Sequence, residues 1–307
     1  MIQIAHSPDA DDIFMYYAIK FGWVDTNVKY ENIALDIESL NRATIDEIYD
    51  VSAISFGIYP LVRESYALLR TAVSFGNGYG PKLVRRKDKQ LKHNFKVALS
   101  GRYTTNALLF GIAYPQARVV YKNFLEIESA VLNGEVDAGV LIHESILDFS
   151  DELEVECEIW DIWHNLSNDI AKESFAKDLE GLWEQKDLSE NECLPLPLGG
   201  MALRRSLPLN RAIEVESTLT KAVQIATNNK PLLCSMLLGR NLIRVDAKKL
   251  DTYLNLYANA ESISLSKKQI LALNVLFALG YKHGRYDKAI RAEEFFIPRE
   301  YVDLRNS

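Results

Sequence analysis

A histidine stands where a hydrophobic run ends, in the stretch GVLIHES at residues 139–145. His143 follows apolar residues and directly precedes Glu144. An imidazole titrates near neutral pH and can act as a general acid or base, but histidines are also buried for purely structural reasons. This stretch alone is compatible with both interpretations. Glu144 is equally compatible with orienting His143 and with starting the next helix.

A second candidate site is the start of a predicted helix in SGRYTTNALL at residues 100–109. Gly101 permits a tight turn, and Thr104, Thr105 and Asn106 follow at the helix start. The free N–H groups and the dipole of a helix start attract anions. The chain has neither G-x-G-x-x-G nor G-x-x-x-x-G-K-[ST], so a carboxylate is favoured over a nucleotide phosphate. A plain N-cap explains the threonines equally well.

The N-terminal stretch HSPDADD concentrates His6, Asp9, Asp11 and Asp12 in seven residues. Hard cations prefer clustered carboxylates, but this spacing does not match a calcium loop. A carboxylate in the first turn of a helix interacts favourably with the helix dipole. Asp12 is therefore interpreted as a helix-start residue in preference to a metal ligand, and no metal is expected.

Two further segments place small residues after predicted strands. In SFGIYP, Ser55 offers a hydroxyl and Gly57 allows close backbone approach, or the segment is a mere turn. In LPLPLGGMALRR at residues 194–205, the prolines favour an extended path, and Gly199 and Gly200 permit sharp geometry. This second segment is interpreted as a crossover between lobes that brings glycine backbone beside a cleft.

Strand-like and helix-like segments alternate along most of the chain, which predicts an α/β fold with a mostly parallel sheet and helices on both faces. In this pattern Asn41 is a candidate cap for a helix over 40–50. The C-terminal third is helical. We predict two lobes, residues 1–95 plus 201–307 and residues 96–200, with the C-terminal helices folded back on the first. The site is expected in the cleft between them, because ligands bind beyond the carboxyl ends of strands.

The composition is that of an ordinary globular chain, with 307 residues and a formal net charge of −7. No dense basic block interleaved with aromatic residues is present, so no nucleic-acid partner is expected. No apolar run approaches the roughly 18 to 20 residues of a membrane span, and no secretory signal is recognised. The three cysteines are scattered. We therefore expect a cytoplasmic protein with a small-molecule carboxylate ligand. The apolar run at 232–239 is interpreted as interior, with the seam of a homodimer as the alternative.

Four motifs follow one another in register along the chain. They are the Ser-Pro-x-x-x-Asp-x-Phe opening at 7–14, GRYTT at 101–105, the Ile-His-Glu triplet at 142–144 and LPLPLG at 194–199. Together they resemble the 1,4-dihydroxy-6-naphthoate synthase family of the futalosine route to menaquinone. The agreement covers most of the chain and is least diagnostic in the helical C-terminal part. Two departures stand out. Asp9, Ala10 and Asp11 replace a frequent Cys-Pro-Asn, and Ile13 stands where threonine is common.

The resemblance implies a two-lobed fold like that of type II periplasmic binding proteins, with a central cleft. It implies a lyase that splits cyclic dehypoxanthinylfutalosine into 1,4-dihydroxy-6-naphthoate and dihydroxyacetone, with His143 as the general base and no metal or organic cofactor. The residues implied to line the substrate pocket are Asn41, Ser55, Gly57, Thr104, Thr105 and Ile142. Further candidates are Asp12, Glu144 and Gly199.

Two other functions stay open at this point. The first is the sister enzyme of the same fold that dehydrates chorismate, a family that lacks the Ile-His-Glu triplet. The second is a cytoplasmic solute-binding protein or ligand sensor that performs no chemistry. The histidine after a strand favours an enzyme over the second alternative.

Overall fold

Two β-sheets, each flanked by helices, organise the chain. The computed structural model describes residues 1–173 and 193–298, with side chains described up to residue 170 in the first range. Within these ranges the first sheet contains β1 (Ile2–His6), β2 (Tyr30–Ala34), β3 (Val51–Ser55), β4 (Tyr66–Leu68), β5 (Ser74–Gly76) and β11 (Leu196–Arg204). The second sheet contains β6 (Lys82–Arg86), β7 (Lys96–Leu99), β8 (Arg118–Tyr121), β9 (Ala138–Leu141) and β10 (Leu153–Glu158).

The helices fill the connections and form the C-terminal part. They are α1 (Ala10–Lys20), α2 (Ile37–Ile45), α3 (Tyr59–Val62), α4 (Thr105–Ala113), α5 (Phe124–Leu132), α6 (Ile159–Glu173), α7 (Leu209–Asn228), α8 (Lys230–Gly239), α9 (Ala247–Tyr257) and α10 (Lys267–Lys282). The predicted two-lobed α/β architecture with a helical C-terminal part is confirmed. Strands β4, β5 and β10 were not predicted from the sequence.

Both sheets are mixed, which corrects the prediction of mostly parallel strands. β1 pairs in parallel with β2 and β3, and β7 pairs in parallel with β8 and β9. In contrast, β6 and β11 run antiparallel to their neighbours. The physical reason is that β6 enters its sheet from the first lobe and β11 returns to its sheet from the second. Neither strand therefore follows a crossover helix of its own sheet, which is what makes neighbouring strands parallel.

Sheet membership also bears on where the lobes divide. Strand β6, at 82–86, pairs in the second sheet, whereas the predicted boundary at residue 95 assigns it to the first lobe. Strand β11 begins at Leu196 in the first sheet, before the predicted boundary at residue 200. We therefore propose that the chain crosses between lobes before Lys82 and again before Leu196.

Helix α2 begins earlier than the sequence pattern predicts. Its N-cap is Asp36, whose carboxylate accepts the N–H groups of Glu38 and Ser39 at 3.1 and 3.2 Å. The prediction that Asn41 caps this helix is wrong, because Asp36 satisfies the free donors of an earlier turn. Asn41 instead lies inside the helix and is fully buried.

The C-terminal helices contact elements of the first lobe. Helices α7, α8 and α9 contact α1, and α10 contacts β11 and the 3-10 turn at 56–58. In α8, Leu233 and Leu237 are fully buried while Leu232 is exposed. The apolar run at 232–239 is thus interior on one face. Within the described ranges, no helix combines the length and the apolar character needed to cross a bilayer.

Candidate active site

A cavity between the lobes contains most of the predicted site residues. The space in it that no atom occupies, counting its open mouth, is about 740 Å³. Of the predicted residues, those lining the cavity are Asp12, Ser55, Thr104, Thr105, Ile142, His143 and Gly199. The predicted residues outside its lining are Asn41, Gly57 and Glu144.

His143 reaches the cavity from the segment after β9. This strand is buried along its length and leads into a 3-10 turn over 143–146. The backbone of His143 has a φ of 54°, in the left-handed region that costs a residue other than glycine on the order of 1–2 kcal/mol. The imidazole packs edge-on against Phe124, with 4.9 Å between ring centroids. The side chain is only 15% exposed, so the cavity wall holds this ring largely away from bulk water.

The two ring nitrogens of His143 have different surroundings. Nδ1 contacts a carboxylate oxygen of Asp9, which is itself buried. Nε2 is buried and has no hydrogen-bond partner among the described residues. A buried polar atom without a partner is costly. Nε2 is therefore left without a hydrogen bond in the protein, and a ligand in the cavity can supply one.

The contact between Asp9 and His143 sets the charge of both groups. Burial disfavours the imidazolium, but the neighbouring carboxylate of Asp9 outweighs burial and raises the pKa of His143 to about 9. Burial likewise disfavours the carboxylate of Asp9, but the charge of His143 outweighs it and lowers the pKa of Asp9 below its ordinary value. At neutral pH the resting site therefore contains an ion pair.

Two more carboxyl groups lie at the same end of the cavity. Burial and then the charge of Asp9 raise the pKa of Asp12 to about 8 and that of Asp11 well above its ordinary value. Asp12 accepts the N–H of Ser7 at 2.7 Å, and Asp11 accepts the hydroxyl of Tyr253 at 3.1 Å. Asp12 does lie in the first turn of α1, as predicted. Protonated carboxyl groups can donate as well as accept hydrogen bonds, so this end suits a hydroxyl-bearing part of a ligand.

Candidate ligand atoms of Asp9, Asp11 and His143 lie within 4.8 Å of one another, a spacing that a cation could bridge. In this structure, however, Asp9 contacts Nδ1 of His143, and Asp11 is hydrogen bonded to Tyr253. One polar atom of each of these side chains is thus already paired within the protein. We therefore describe the group as a hydrogen-bonded cluster and assign no metal ligands in it.

The start of α4 also lines the cavity, and it follows β7, the parallel neighbour of the strand that precedes His143. Thr104 is the N-cap, and its hydroxyl accepts the N–H of Ala107 at 3.1 Å. The capping interpretation of Thr104 is thus confirmed, and the residue also lines the cavity. Near it, Ser100 Oγ and Asn106 Oδ1 are buried without a hydrogen-bond partner among the described residues. The Ser100 hydroxyl and the N–H groups of the first helical turn can donate hydrogen bonds to a carboxylate or an oxyanion, whereas Asn106 Oδ1 can only accept one.

Ser55 is held in the cavity wall by Asn41. The amide of Asn41 donates to Ser55 Oγ at 3.1 Å and accepts the Ser55 N–H at 2.9 Å. Asn41 is fully buried and does not line the cavity. Asn41 therefore orients Ser55, whereas the sequence had predicted that Asn41 itself lines the substrate pocket.

The lack of a side chain at the predicted glycines lets neighbouring backbone segments approach each other closely. A Cβ at Gly57 would lie 3.0 Å from the Thr105 Cα, and one at Gly199 would lie 2.8 Å from the Ile54 carbonyl oxygen. Gly57 is buried behind the wall and does not line the cavity. The structure thus corrects the prediction that Gly57 contacts substrate: its lack of a side chain lets the α4 start approach β3.

Glu144 follows His143 in the sequence, but its carboxylate contacts other residues. One carboxylate oxygen accepts the N–H of Ala10 at 2.9 Å, and the other lies 3.4 Å from the guanidinium of Arg244. Glu144 also belongs to the 3-10 turn at 143–146, so it starts the following turn as the second interpretation predicted. Its contact with Ala10 ties the His143 segment to the start of α1.

His6 follows a strand as His143 does, but it is a satisfied core residue. Its ring nitrogens lie 2.6 Å from the Ser7 carbonyl oxygen and 2.6 Å from Asn32 Oδ1. Burial lowers the pKa of His6 below its ordinary value. Its side chain does not line the cavity.

Sequence reasoning missed the part played by Asp9, Asp11 and Tyr253. The acidic cluster was recognised, but its proximity to His143 depends on a contact between lobes that no local pattern encodes. Tyr253 lies on α9, in the least diagnostic part of the chain. The unpaired Ser100 was also missed, although its place directly after β7 is a signal that could have indicated it.

With this geometry in place, comparison with known proteins gives consistent matches. A family model described as menaquinone biosynthesis matches residues 2–171 and 166–282. A protein of Thermus thermophilus named 1,4-dihydroxy-6-naphthoate synthase is 29% identical over 92% of this chain and 95% of its own length. A Streptomyces coelicolor protein of the same name is 25% identical over 92% of this chain and 94% of its own length.

Solved structures show the same architecture. A crystal structure from Archaeoglobus fulgidus matches with a TM-score of 0.77 and 31% identity, covering 92% of this chain and 97% of that one. The alkanesulfonate-binding protein of Xanthomonas axonopodis matches with a TM-score of 0.63 and 11% identity, covering 96% of this chain and 97% of that one. The second match shows the fold alone, and it confirms the prediction of a periplasmic-binding-protein-like fold.

Proposed function

The chain belongs to the menaquinone biosynthesis family, and from this premise we propose that it is the lyase that splits cyclic dehypoxanthinylfutalosine into 1,4-dihydroxy-6-naphthoate and dihydroxyacetone. Its role as an enzyme of menaquinone biosynthesis follows from the family and from the two named relatives. The observation that carries the specific proposal is the buried Nε2 of His143, without a partner among the described residues, in a cavity that is also lined by a helix start.

The reaction needs a base at a hydroxyl group of the substrate. The base removes the hydroxyl proton, the oxygen becomes the carbonyl of dihydroxyacetone, and the adjacent carbon–carbon bond breaks. The electron pair of that bond passes to the ring, which becomes an aromatic naphthol and takes up a proton. All substrate atoms end in the two products. The imidazole of His143 is suited to the first proton transfer.

His143 must be neutral to accept that proton. The pKa of about 9 that Asp9 gives this ring, against the opposing effect of burial, means that the base form grows as the pH rises toward that value. The same shift makes the neutral ring a stronger base than an ordinary imidazole. Aromatisation of the product supplies the driving force, which is why we invoke no cofactor.

The polarity of the cavity orders the substrate within it. The carboxylate of the substrate is placed at the start of α4, where the N–H groups of the first turn and Ser100 Oγ face an anion. The hydroxyl-bearing part is placed near His143, Asp11 and Asp12.

The direct test is to incubate the purified protein with cyclic dehypoxanthinylfutalosine and to measure both products by chromatography and mass spectrometry. We expect 1,4-dihydroxy-6-naphthoate and dihydroxyacetone in equal amounts. Parallel incubation with chorismate tests the dehydratase alternative. Binding of the cyclic substrate without either product would identify a solute-binding protein and overturn the proposal.

A further inference from the structure

Asp9 occupies a helix N-cap position but does not cap the helix. It directly precedes α1, has an extended backbone with ψ of 167°, and makes no side-chain hydrogen bond to the first turn. An aspartate at this position ordinarily accepts an N–H of the second or third helical residue. Here the carboxylate turns away from α1 and contacts Nδ1 of His143 instead. Asp9 thus lacks the capping contact that would stabilise the start of α1 and instead contacts His143 in the other lobe.

The contact is deeply buried. Asp9 is 3% exposed, and its second oxygen, Oδ1, has no hydrogen-bond partner among the described residues. Burying a charge that serves only folding is unfavourable unless the charge is fully paired. Retention of a half-paired carboxylate at this depth therefore indicates a use beyond stability.

His143 is constrained on its remaining sides. Phe124 packs edge-on against the ring, and the guanidinium of Arg244 lies over the face of Phe124, 5.0 Å from its centroid. The left-handed backbone of His143 further restricts where its side chain can point. The carboxylate at Nδ1 completes these constraints. It fixes which nitrogen carries the hydrogen, because a carboxylate only accepts.

The charged and titratable groups around this pair come from several elements. Besides Asp9, the start of α1 supplies Asp11 and Asp12, and the 3-10 turn supplies Glu144. On the far side of the cluster, Arg244 pairs with Glu144, and Tyr253 of α9 donates to Asp11. His6 lies at the end of β1 and is hydrogen bonded elsewhere. Of these carboxylates, Asp9 is the one that contacts the imidazole of His143.

We propose that Asp9 is a positioning residue that holds the hydrogen on Nδ1 of His143 and thereby makes Nε2 the atom that exchanges a proton with the substrate. The inference rests on the proposed function for its catalytic meaning, but the contact itself is independent of it. Asp9 is one of the residues in which this chain departs from the family motif. The pair is therefore a property of this chain that the resemblance does not supply.

The first test is a titration of the His143 ring by NMR in protein labelled with ¹⁵N-histidine. The chain has five histidines, and the His143→Gln variant assigns the signal. In the unchanged protein we expect the pKa of the His143 ring to lie above its ordinary range. In the neutral form of the ring the hydrogen should be on Nδ1. In Asp9→Asn the His143 pKa should fall by roughly 1 to 3 pH units.

Glu144→Gln is the matched comparison. It removes a buried carboxylate whose recorded partners are Ala10 and Arg244 and not the imidazole. The shift of the His143 signal should be clearly smaller than in Asp9→Asn. Equal shifts in both variants, or an unchanged His143 titration in Asp9→Asn, would overturn the proposal.

The second test is kinetic. We expect kcat of Asp9→Asn with cyclic dehypoxanthinylfutalosine to fall roughly tenfold to a thousandfold, with KM changed little, and the pH profile of kcat/KM to move to lower pH. A purely structural role for Asp9 would lower activity at every pH without moving the profile, and that result would also contradict the proposal.

The two tests separate the possible failures. If the protein does not convert the substrate but His143 titrates as expected, the proposed function fails and the contact with Asp9 stands. If Asp9→Asn does not fold, as judged by circular dichroism, the titration of the unchanged protein still decides. A neutral His143 that carries its hydrogen on Nε2 would contradict the contact without any variant.

Discussion

The side chain of Thr105 joins the two lobes through the backbone of Gly57. Thr105 Oγ1 accepts the N–H of Gly57 at 3.0 Å and donates to the Leu198 carbonyl oxygen at 2.9 Å. Thr105 begins α4 in the second lobe, while Gly57 and Leu198 belong to the first. One hydroxyl therefore bridges the start of α4 and the first sheet, beside the cavity that Thr105 and Leu198 line.

Gly57→Ala should force this junction apart. The added Cβ would lie 3.0 Å from the Cα of Thr105, a backbone atom that cannot move aside alone. We expect a loss of roughly 1–3 kcal/mol in the free energy of unfolding and a raised KM, measured by urea denaturation and by steady-state kinetics. Gly239→Ala is the matched control, because nothing lies within 4 Å of its added Cβ. An unfolding free energy of Gly57→Ala equal to that of the unchanged protein would contradict this account of the junction.

His143→Ala should lose turnover while keeping product binding. Removing a general base ordinarily costs about 10²- to 10⁴-fold in rate, whereas the start of α4 that binds the carboxylate stays intact. The measurements are kcat and the affinity for 1,4-dihydroxy-6-naphthoate by calorimetry. His93→Ala, at an exposed position, is the control and should behave like the unchanged protein. Near-normal turnover in His143→Ala would remove the base assignment.

Activity should rise with pH toward the alkaline range. Although burial opposes it, Asp9 raises the pKa of His143 to about 9, so the neutral base is the minor form at pH 7 and grows as the pH rises. The logarithm of kcat/KM, measured from pH 6 to 10, should therefore increase and level off near pH 9. Residual activity of His143→Ala should lack this rising limb. A profile that is flat from pH 6 to 8 would show that another group controls the reaction.

Asp12→Asn should change how stability depends on pH. Burial and the charge of Asp9 raise the pKa of Asp12 from 3.8 to about 8. Between these values the unfolded chain releases a proton that the folded protein keeps, so Asp12 stabilises the fold less as the pH rises. Asparagine does not titrate. The melting temperature of Asp12→Asn relative to the unchanged protein should therefore increase from pH 5 to 8, and a constant difference would contradict the shifted pKa.

Asn41→Ala should release Ser55 from its place in the cavity wall. The change removes two buried hydrogen bonds and leaves the Ser55 N–H without its acceptor, at a cost of about 2 kcal/mol in the free energy of unfolding. KM should rise because the serine hydroxyl is no longer oriented. Asn94→Ala, at an exposed position, is the control. If KM stays unchanged, Ser55 does not contribute to substrate binding.

Local features of the fold and site were predictable from the sequence. The N-cap at Thr104 and the place of Asp12 in a first helical turn depend on neighbouring residues alone. Alternating strands and helices predicted two α/β lobes, because periodicity reports burial within each element. The prediction placed Asn41 at a helix start because the sequence pattern does not show which of several polar residues is the N-cap. In the structure the N-cap is Asp36.

The relationships between lobes were not predictable. The antiparallel pairing of β6 and β11 depends on the chain crossing from one lobe to the other; the segment at 194–205 was interpreted as such a crossover, but its residues do not show in which direction the strand pairs. The contact of Asp9 with His143 likewise joins residues far apart in sequence. An aspartate before a helix predicts a cap, and only the tertiary structure shows that this carboxylate is used elsewhere.

The left-handed backbone at His143 limits which residues evolution can place there. Glycine adopts this conformation without penalty, and asparagine, aspartate and histidine tolerate it better than other residues, while valine, isoleucine and threonine are nearly excluded. In descendants that no longer needed the ring chemistry, selection for folding alone would drift toward that small group. A histidine retained at this position across related genomes would therefore be a sensitive marker that the reaction is still under selection.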